Sequence, residues 1–203
     1  IGGINESSTQ QCADFYRTFA AGELHLTHCR TAETVKLVEN AFRDVNIAFA
    51  NELAKLGEEL ELDVREVIRL ANRHPRVNIL SPGCGVGGHC LAVDPWFLIH
   101  RVPKVTRLMQ TARLVNDAQP DWVVDRVLRH VKRFKQPHIA CLGLAYKPDI
   151  DDLRESPALD VMLLLEKAGA AVDFFDPFVS SILLDNKKKA GLTRLTHKNI
   201  QTY

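Results

Sequence analysis

The sequence has no long hydrophobic run, no excess of one charge and no paired cysteine motif, and each absence excludes a class of protein. Its 203 residues carry 26 basic and 25 acidic side chains, and this net charge of +1 argues against bulk binding to nucleic acid. No apolar run approaches the roughly 20 residues that a membrane-spanning helix needs, so no contact with a membrane is expected. The chain opens on IGGINESS, without the basic and apolar segments of a secretory signal.

The cysteines favour reduced thiols over a disulfide scaffold. There are five of them, an odd number, and none forms a CxxC pair, which is typical of a protein of the cytoplasm. Cys84, His89 and Cys90 could be imagined as zinc ligands, but adjacent residues rarely converge on one ion, and no second ligand pair lies at zinc-finger spacing. We therefore expect no metal site.

Dinucleotide-binding fingerprints are also missing. GxxxxGK[ST] does not occur, and GCGVGG at residues 83–88 has the GxGxxG spacing but follows no predicted strand of a β-α-β unit, which the dinucleotide fingerprint requires. The eight histidines form no HExxH motif. The chain begins with Ile1 rather than Met, and the IGG segment is typical of the end of a strand. We therefore expect the chain to be part of a larger protein.

The most informative segment is GCGVGGHCLAVDP at residues 83–95. Its glycine loop (residues 83–90) has four glycines in six positions, so its backbone amides can close on a ligand. Cys90 ends this loop, and Asp94 follows four residues later, where apolar residues indicate the start of a helix. At that spacing both side chains share a helix face, and the helix dipole would promote ionisation of the thiol. The segment indicates either an activated cysteine beside a carboxylate or a glycine-rich turn with an inert, buried cysteine.

A helical pattern begins at Thr31. Apolar side chains recur at steps of three and four residues from Val35 to Leu56, which predicts a helix of about 27 residues and about 40 Å. Because other apolar residues fall off this stripe, we expect the helix to be buried on more than one side, in a domain core or at a dimer seam. Shorter helices are expected near residues 12–22, over residues 64–72, from about residue 94, and twice between residues 104 and 135.

After residue 137 the pattern changes to that of a β-α-β unit. HIACLGLA and AAVDFFDP predict two strands, and residues 157–168 between them predict an amphipathic helix. Such a unit requires parallel pairing of the strands. Lys147 and Arg154 lie in the connection after the first strand, at the sheet edge where α/β proteins bind ligands. They are either a phosphate or cofactor clamp or solvated loop charges.

Two further pairs of polar residues are candidates for ligand contacts. Lys36 and Asn40 share a face of the long helix and could stabilise an oxyanion, or could be ordinary polar surface residues. Arg76 and Asn78 precede the glycine loop and could reach a sugar or a phosphate, or could serve only the solvation of a loop.

Three segments together resemble the UDP-glucose/GDP-mannose dehydrogenase family. They are TVKLVENAF at residues 34–42, GVGGHCLAVDP at residues 85–95 and GLAYKPDIDDLRESPA at residues 143–158. Three motifs in the family's order are far more specific than any one of them. GGHC in place of GGSC indicates the branch that acts on N-acetylated UDP-hexosamines. NRHPRVNIL at residues 72–80 is most similar to members that oxidise UDP-N-acetyl-D-mannosamine for bacterial surface polysaccharides.

The resemblance implies an NAD-dependent enzyme that oxidises C6 of the sugar twice, through an aldehyde, to the uronate. It implies that Cys90 attacks the aldehyde as a thiolate to form a thiohemiacetal, which becomes a thioester that water hydrolyses. Lys36 and Asn40 would stabilise the oxyanions, and Asp94 would position water or assist proton transfer.

The resemblance also implies binding residues and a homodimer. Arg154 would contact the NAD pyrophosphate, and the long helix would form the dimer seam. Arg76 aligns with a family arginine that contacts substrate and could come from the partner subunit. The implied contacts to the UDP-N-acetylhexosamine substrate are Arg76, Asn78, Gly85, Gly87, Gly88 and Lys147.

The expected fold class is α/β overall, with an all-helical central dimerisation domain (residues 31–118) followed by a partial Rossmann-like, UDP-sugar-binding α/β domain (residues 119–203). The family begins with a GxGxxG domain followed by a catalytic glutamate, and both are missing here. Residues 1–30 are therefore interpreted as the tail of an N-terminal NAD-binding domain, and little turnover is expected of the chain alone. Two alternatives stay open: a catalytically silent module for UDP-sugar binding and dimerisation, and a thiol enzyme that uses Cys90 without NAD.

Overall fold

The computed structural model describes residues 1–180, 182–184 and 187–188. It begins with two short parallel strands, β1 (Gly2–Gly3) and β2 (Thr27–His28), on either side of helix α1 (Glu6–Arg17). The expected position of this first helix, near residues 12–22, is wrong. Asn5 caps the helix because its Oδ1 accepts the Ser8 N–H at 2.8 Å, so the helix begins earlier than the apolar pattern indicated.

Helix α2 (Cys29–Glu59) is the centre of the second part, and its 31 residues confirm the predicted long helix. Its buried face consists of small and polar side chains, including Ala41, Ala48 and Asn51. The predicted apolar stripe instead faces outward, and Phe42 is 70% exposed. The described part of the chain therefore leaves this stripe exposed, because the neighbouring helices pack on the opposite, small-residue face of α2.

Four shorter helices complete the helical part. The short helix predicted at residues 64–72 and the pair predicted between residues 104 and 135 are confirmed. Pro120 lies in the first turn of the second helix of that pair, where a proline loses no helical hydrogen bond. The four helices are α3 (Val64–Ala71), α4 (Asp94–Arg101), α5 (Arg107–Asp117) and α6 (Gln119–Val131). Helices α4 and α5 pack on α2.

The third part is the predicted β-α-β unit. Strands β3 (His138–Leu142) and β4 (Ala171–Phe175) pair in parallel, and helix α7 (Pro157–Lys167) joins them. Its core contains the fully buried side chains of Leu144, Met162 and Leu165. Helix α6 packs against α7 and links this unit to the helical part.

A short antiparallel pair, β5 (Leu183–Leu184) with β6 (Lys187–Lys188), follows the β-α-β unit. The end of the predicted UDP-sugar-binding domain, residues 189–203, lies outside the described residues. The fold class is confirmed as a helical central domain with a partial α/β domain. In the part of the chain that the structure describes, none of the helices combines the length and the apolar character needed to cross a membrane.

Candidate active site

Two residues of α2 meet the first residue of α4. Asn40 Nδ2 donates to Asp94 Oδ2 at 2.6 Å, and Lys36 Nζ lies 4.0 Å from the same oxygen. Asn40 is buried and the Asp94 side chain is only 16% exposed, whereas the Lys36 side chain is 61% exposed. The carboxylate is therefore held by α2, and the ammonium group stays accessible to a ligand.

Cys90 lies in the turn before α4. Its carbonyl accepts the N–H of Asp94 at 2.7 Å and that of Val93 at 3.0 Å, so one helical turn separates the thiol from the carboxylate. The helix begins at residue 94 as expected, but Cys90 is upstream of it rather than inside its first turn. Cys90 is also exposed, which contradicts the alternative of an inert, buried cysteine.

The glycines bring the glycine loop against the connecting loop (residues 143–156) that follows β3. A Cβ on Gly87 would lie 2.5 Å from the Glu155 carbonyl oxygen, and one on Gly88 would lie 2.7 Å from the Tyr146 ring. Gly88 has a φ of 83° and donates its N–H to the Arg154 carbonyl at 3.2 Å. These glycines are therefore needed for contact between two loops, a role that the sequence interpretation missed because it considered only the ligand.

A similar contact involves Gly85, whose φ is 140°. A Cβ there would lie 2.8 Å from Cβ of Pro157, at the start of α7. The glycine loop and the β-α-β unit therefore meet along the length of the loop, and a side chain at any of these three glycines would separate them.

The connecting loop places a cation near Cys90. Arg154 Nε donates to Asp152 Oδ1 at 3.0 Å and Nη2 donates to Oδ2 at 2.6 Å. These hydrogen bonds lower the pKa of Asp152 to about 2 and raise the pKa of Arg154, with smaller contributions to the latter from Tyr146 and Cys90. Arg154 is exposed, so an anionic ligand could reach it. Lys147 is also exposed on this loop and forms no ion pair with the described residues.

Two other thiols near the glycine loop are poor nucleophiles. Burial raises the pKa of Cys84, and it raises the pKa of Cys141 to about 11. Since the thiolate is the reactive form, both side chains are largely inert at neutral pH. Cys90 is therefore the accessible thiol of this region.

Arg76 and Asn78 are not joined to this cluster. Both are exposed, and neither side chain has a hydrogen-bond partner within residues 1–180. Their loop is shaped by Asn72, which donates to the Ile79 carbonyl at 2.9 Å and accepts the Ile79 N–H at 2.7 Å. One chain alone does not bring them to Cys90 through any described contact.

The sequence interpretation also missed the residues that hold the first glycine of the loop. Asn51 Oδ1 accepts the N–H of Gly83 at 2.9 Å, and Gln119 Nε2 donates to its carbonyl at 3.1 Å. The available signal was a spacing: Asn51 lies eleven positions after Asn40, which is about three helical turns and so the same face of α2.

This arrangement is suited to covalent chemistry on a carbonyl group. It offers an exposed thiol as nucleophile, the Lys36 ammonium for a developing oxyanion and the Asp94 carboxylate for a water molecule or a proton. Among the described residues, no group of three or more His, Cys, Asp or Glu side chains is placed to hold a metal ion.

Two sequence profiles match the chain. The profile of the UDP-glucose/GDP-mannose dehydrogenase family, central domain, matches residues 30–118. The profile of the same family's UDP binding domain matches residues 140–201. Together these matches cover most of the sequence.

Individual relatives agree with the profiles. A Campylobacter jejuni protein named UDP-N-acetyl-D-mannosamine dehydrogenase is 51% identical over 97% of this chain and 49% of its own length. A Ralstonia solanacearum protein named NDP-N-acetyl-D-galactosaminuronic acid dehydrogenase is 56% identical over 80% of this chain and 38% of its own length. The solved structure of a UDP-N-acetyl-mannosamine dehydrogenase from S. aureus has a TM-score of 0.82 and 46% identity, covering 92% of this chain and 45% of that one. The chain thus spans less than half the length of these relatives.

Proposed function

Because the chain belongs to the UDP-glucose/GDP-mannose dehydrogenase family, as its three motifs indicated, we propose that it supplies the catalytic cysteine and the UDP-sugar site of an NAD-dependent dehydrogenase. The proposed reaction oxidises C6 of UDP-N-acetyl-D-mannosamine to the uronate, as the name of the Campylobacter jejuni relative suggests. The observation that carries the proposal is the convergence of Lys36 and Asn40 on Asp94, one turn after the exposed Cys90.

Cys90 is the proposed nucleophile of the second oxidation. Its thiolate adds to the C6 aldehyde, forming a C–S bond and leaving the aldehyde oxygen as the oxyanion of a thiohemiacetal. Loss of hydride from C6 leaves a thioester, and water hydrolyses it to the uronate and the free thiol. NAD, when bound, accepts the hydride in each of the two oxidations.

The residues around Cys90 have separate roles in this scheme. The accessible Lys36 ammonium would stabilise the oxyanions, because a cation aimed at developing negative charge lowers the barrier. Asn40 holds Asp94 through one N–H and would offer its other N–H to the same oxyanion. The oriented Asp94 carboxylate would accept a proton from the water that attacks the thioester.

The glycine loop and the connecting loop supply the proposed binding residues. The backbone of Gly85, Gly87 and Gly88, together with Lys147, would contact the UDP-sugar where the glycine loop meets the connecting loop. Arg154 fits the pyrophosphate of NAD, since its exposed guanidinium already binds a carboxylate through two donors and could bind a phosphate in the same way.

The compartment and the product are part of the proposal. All five cysteines are free, which supports a reducing compartment, and we place the protein in the cytoplasm. The uronate would serve the synthesis of bacterial surface polysaccharides.

A turnover assay tests this function. The matching part of the Campylobacter jejuni relative would be replaced by this chain, and NADH and uronate would be measured with UDP-N-acetyl-D-mannosamine. We expect two NADH for each uronate, and little or no NADH from the 203-residue chain alone.

The galactosamine epimer is the matched substrate control, because the Ralstonia solanacearum relative is named for an N-acetylgalactosaminuronic acid. A faster reaction with that epimer would correct the proposed substrate. A folded chimera that binds UDP-sugar without forming NADH would support the silent binding and dimerisation module instead.

We also propose a homodimer with α2 at its seam. The outward apolar stripe of this helix is too extensive for a face that water covers, whereas the opposite face is already packed on α4 and α5. A partner's α2 would bury this stripe, and we propose that the dimer also brings Arg76 of the partner subunit to the substrate. The stripe includes Val35, Val38, Phe42, Phe49 and Leu56.

A charge on this stripe is expected to abolish the dimer. Phe42→Asp places a carboxylate at a side chain that is 70% exposed in one chain, so the monomer should still fold. Val105→Asp is the matched control, because Val105 is 79% exposed outside α2. Sedimentation velocity should show a dimer for the unaltered chain and the control, and a monomer for Phe42→Asp. An unaltered chain that is monomeric at micromolar concentration would contradict the prediction.

A further inference from the structure

We propose that Asn51 and Gln119 are positioning residues that hold Gly83 and thereby set where Cys90 lies at the candidate active site. The inference rests on the proposed function, since it concerns the geometry of the same nucleophile. It assigns a role in the reaction to side chains that touch no reacting atom.

Gly83 is held by both of its backbone polar groups. Its N–H donates to Asn51 Oδ1 at 2.9 Å, and its carbonyl accepts from Gln119 Nε2 at 3.1 Å. Both side chains are fully buried while Gly83 itself is exposed, so two amides fixed in the interior hold a peptide that otherwise faces water. Asn51 lies in α2 and Gln119 is the first residue of α6. These two side chains, called the clamp below, fix the Gly83 peptide against two helices.

A buried ion pair orients Asn51. The Asn51 amide donates to Asn116 Oδ1 at 2.9 Å, and Asn116 Nδ2 donates to Asp44 Oδ1 at 2.9 Å. Arg113 Nη1 donates to the same carboxylate oxygen at 2.6 Å. Since the oxygen of Asn116 needs a donor and the N–H of Gly83 needs an acceptor, Asn51 has one orientation that satisfies both.

The clamp and the candidate active site belong to one face of α2. Asn40 and Asn51 are eleven residues apart, about 16 Å along the helix. Their partners, Asp94 and Gly83, are also eleven residues apart in sequence. A single helix face therefore anchors both ends of the segment that carries Cys90. Release of one end would let the thiol shift relative to the end that is still held.

Hydrogen exchange and Cys90 alkylation on the 203-residue chain test the inference without substrate or NAD. In Asn51→Ala the Gly83 N–H loses its acceptor, and we expect the amides of residues 83–90 to exchange about tenfold faster. The rate constant for alkylation of Cys90 by iodoacetamide, followed by peptide mass spectrometry, should change about threefold as the thiol shifts.

Thr106→Val is the matched control. Thr106 is buried and its hydroxyl donates to the Val102 carbonyl at 3.1 Å, so the variant also loses a buried side-chain hydrogen bond. Thr106 lies at the start of α5 and its side chain forms hydrogen bonds only with Val102 and Gln110 among the described residues, so the variant should change neither rate.

Gln119→Glu gives a pH-dependent readout that a purely structural role would not produce. The protonated carboxyl donates to the Gly83 carbonyl as the amide does, and burial opposes its ionisation. When it ionises at higher pH, its oxygen repels that carbonyl and the clamp opens. The Cys90 alkylation rate, divided by that of the unaltered chain at each pH, should be near one at low pH and depart from it as the pH rises. In Gln119→Met, whose side chain has no donor, this ratio of alkylation rates should differ from one at every pH.

Three outcomes would overturn the inference. They are unchanged exchange in Asn51→Ala, faster exchange with unchanged Cys90 alkylation, and a flat pH ratio for Gln119→Glu. If Asn51→Ala does not fold, the two Gln119 variants decide the question. Missing uronate in the chimera would remove the proposed function and leave these results standing, whereas normal uronate formation with unchanged alkylation in the clamp variants would remove this inference alone.

Discussion

Replacing Cys90 with serine is expected to stop uronate formation by the chimeric enzyme, lowering its rate by about 10³-fold. A serine hydroxyl keeps its proton at neutral pH and cannot form the thiohemiacetal that the second oxidation uses. The first oxidation needs no nucleophile, so one NADH per active site and a trapped aldehyde should still appear. Stopped-flow absorbance and mass spectrometry of the products measure both quantities.

The control for this substitution is Cys12→Ser. Cys12 is also exposed, but it lies in α1, away from Asp94 and Lys36, so its loss should leave uronate formation unchanged. Peptide mass spectrometry of the unaltered enzyme, quenched during turnover, should show an adduct on Cys90 and none on Cys12. If Cys90→Ser formed uronate at the normal rate, no covalent intermediate would be required and the proposed mechanism would be wrong.

Removing the guanidinium that faces Asp44 is expected to destabilise the fold more than any other substitution considered. Asp44 and Arg113 are almost completely buried and their closest atoms are 2.6 Å apart. Arg113→Met leaves a buried carboxylate without its cation, which costs about 3–5 kcal/mol. Urea denaturation measures the change in the free energy of unfolding.

The pH dependence of the unfolding free energy of Arg113→Met shows whether the unpaired Asp44 carboxylate causes the loss of stability. Burial already raises the pKa of Asp44, although Arg113 and Asn116 oppose that shift, so loss of Arg113 should raise the pKa further. A carboxyl with a raised pKa in the folded state contributes stability that is present at low pH and is lost as the pH rises through that pKa. Arg113→Met should therefore be less destabilised at pH 5 than at pH 8.

The double substitution Asp44→Asn with Arg113→Met is the control. It removes the charge together with its partner and keeps an oxygen that can accept from Asn116, so it should recover much of the lost stability. A single Arg113→Met variant that loses less than about 1 kcal/mol, or that loses the same amount at both pH values, would contradict the prediction.

Helix α2 and the β-α-β unit could be predicted from the sequence because their signals are local. The three- and four-residue apolar period, the first-turn proline of α7 and the alternation into β3 and β4 each depend on neighbouring residues. The family could be predicted for the same reason, since each of its motifs is a continuous segment. The capping signal of Asn5 is also local, but the prediction of α1 relied on the apolar residues that follow and so placed the helix too far along the chain.

The candidate site needed the tertiary structure. Apolar periodicity gave the length of α2 but not which face α4 and α5 would cover, because both faces carry apolar or small side chains. The contact between Asn40 and Asp94 joins residues 54 positions apart, and the clamp on Gly83 by Asn51 joins residues 32 positions apart. Sequence spacing indicates neighbours only along one helix or strand. Whether polar side chains from different elements satisfy one another is decided when those elements pack and exclude water between them.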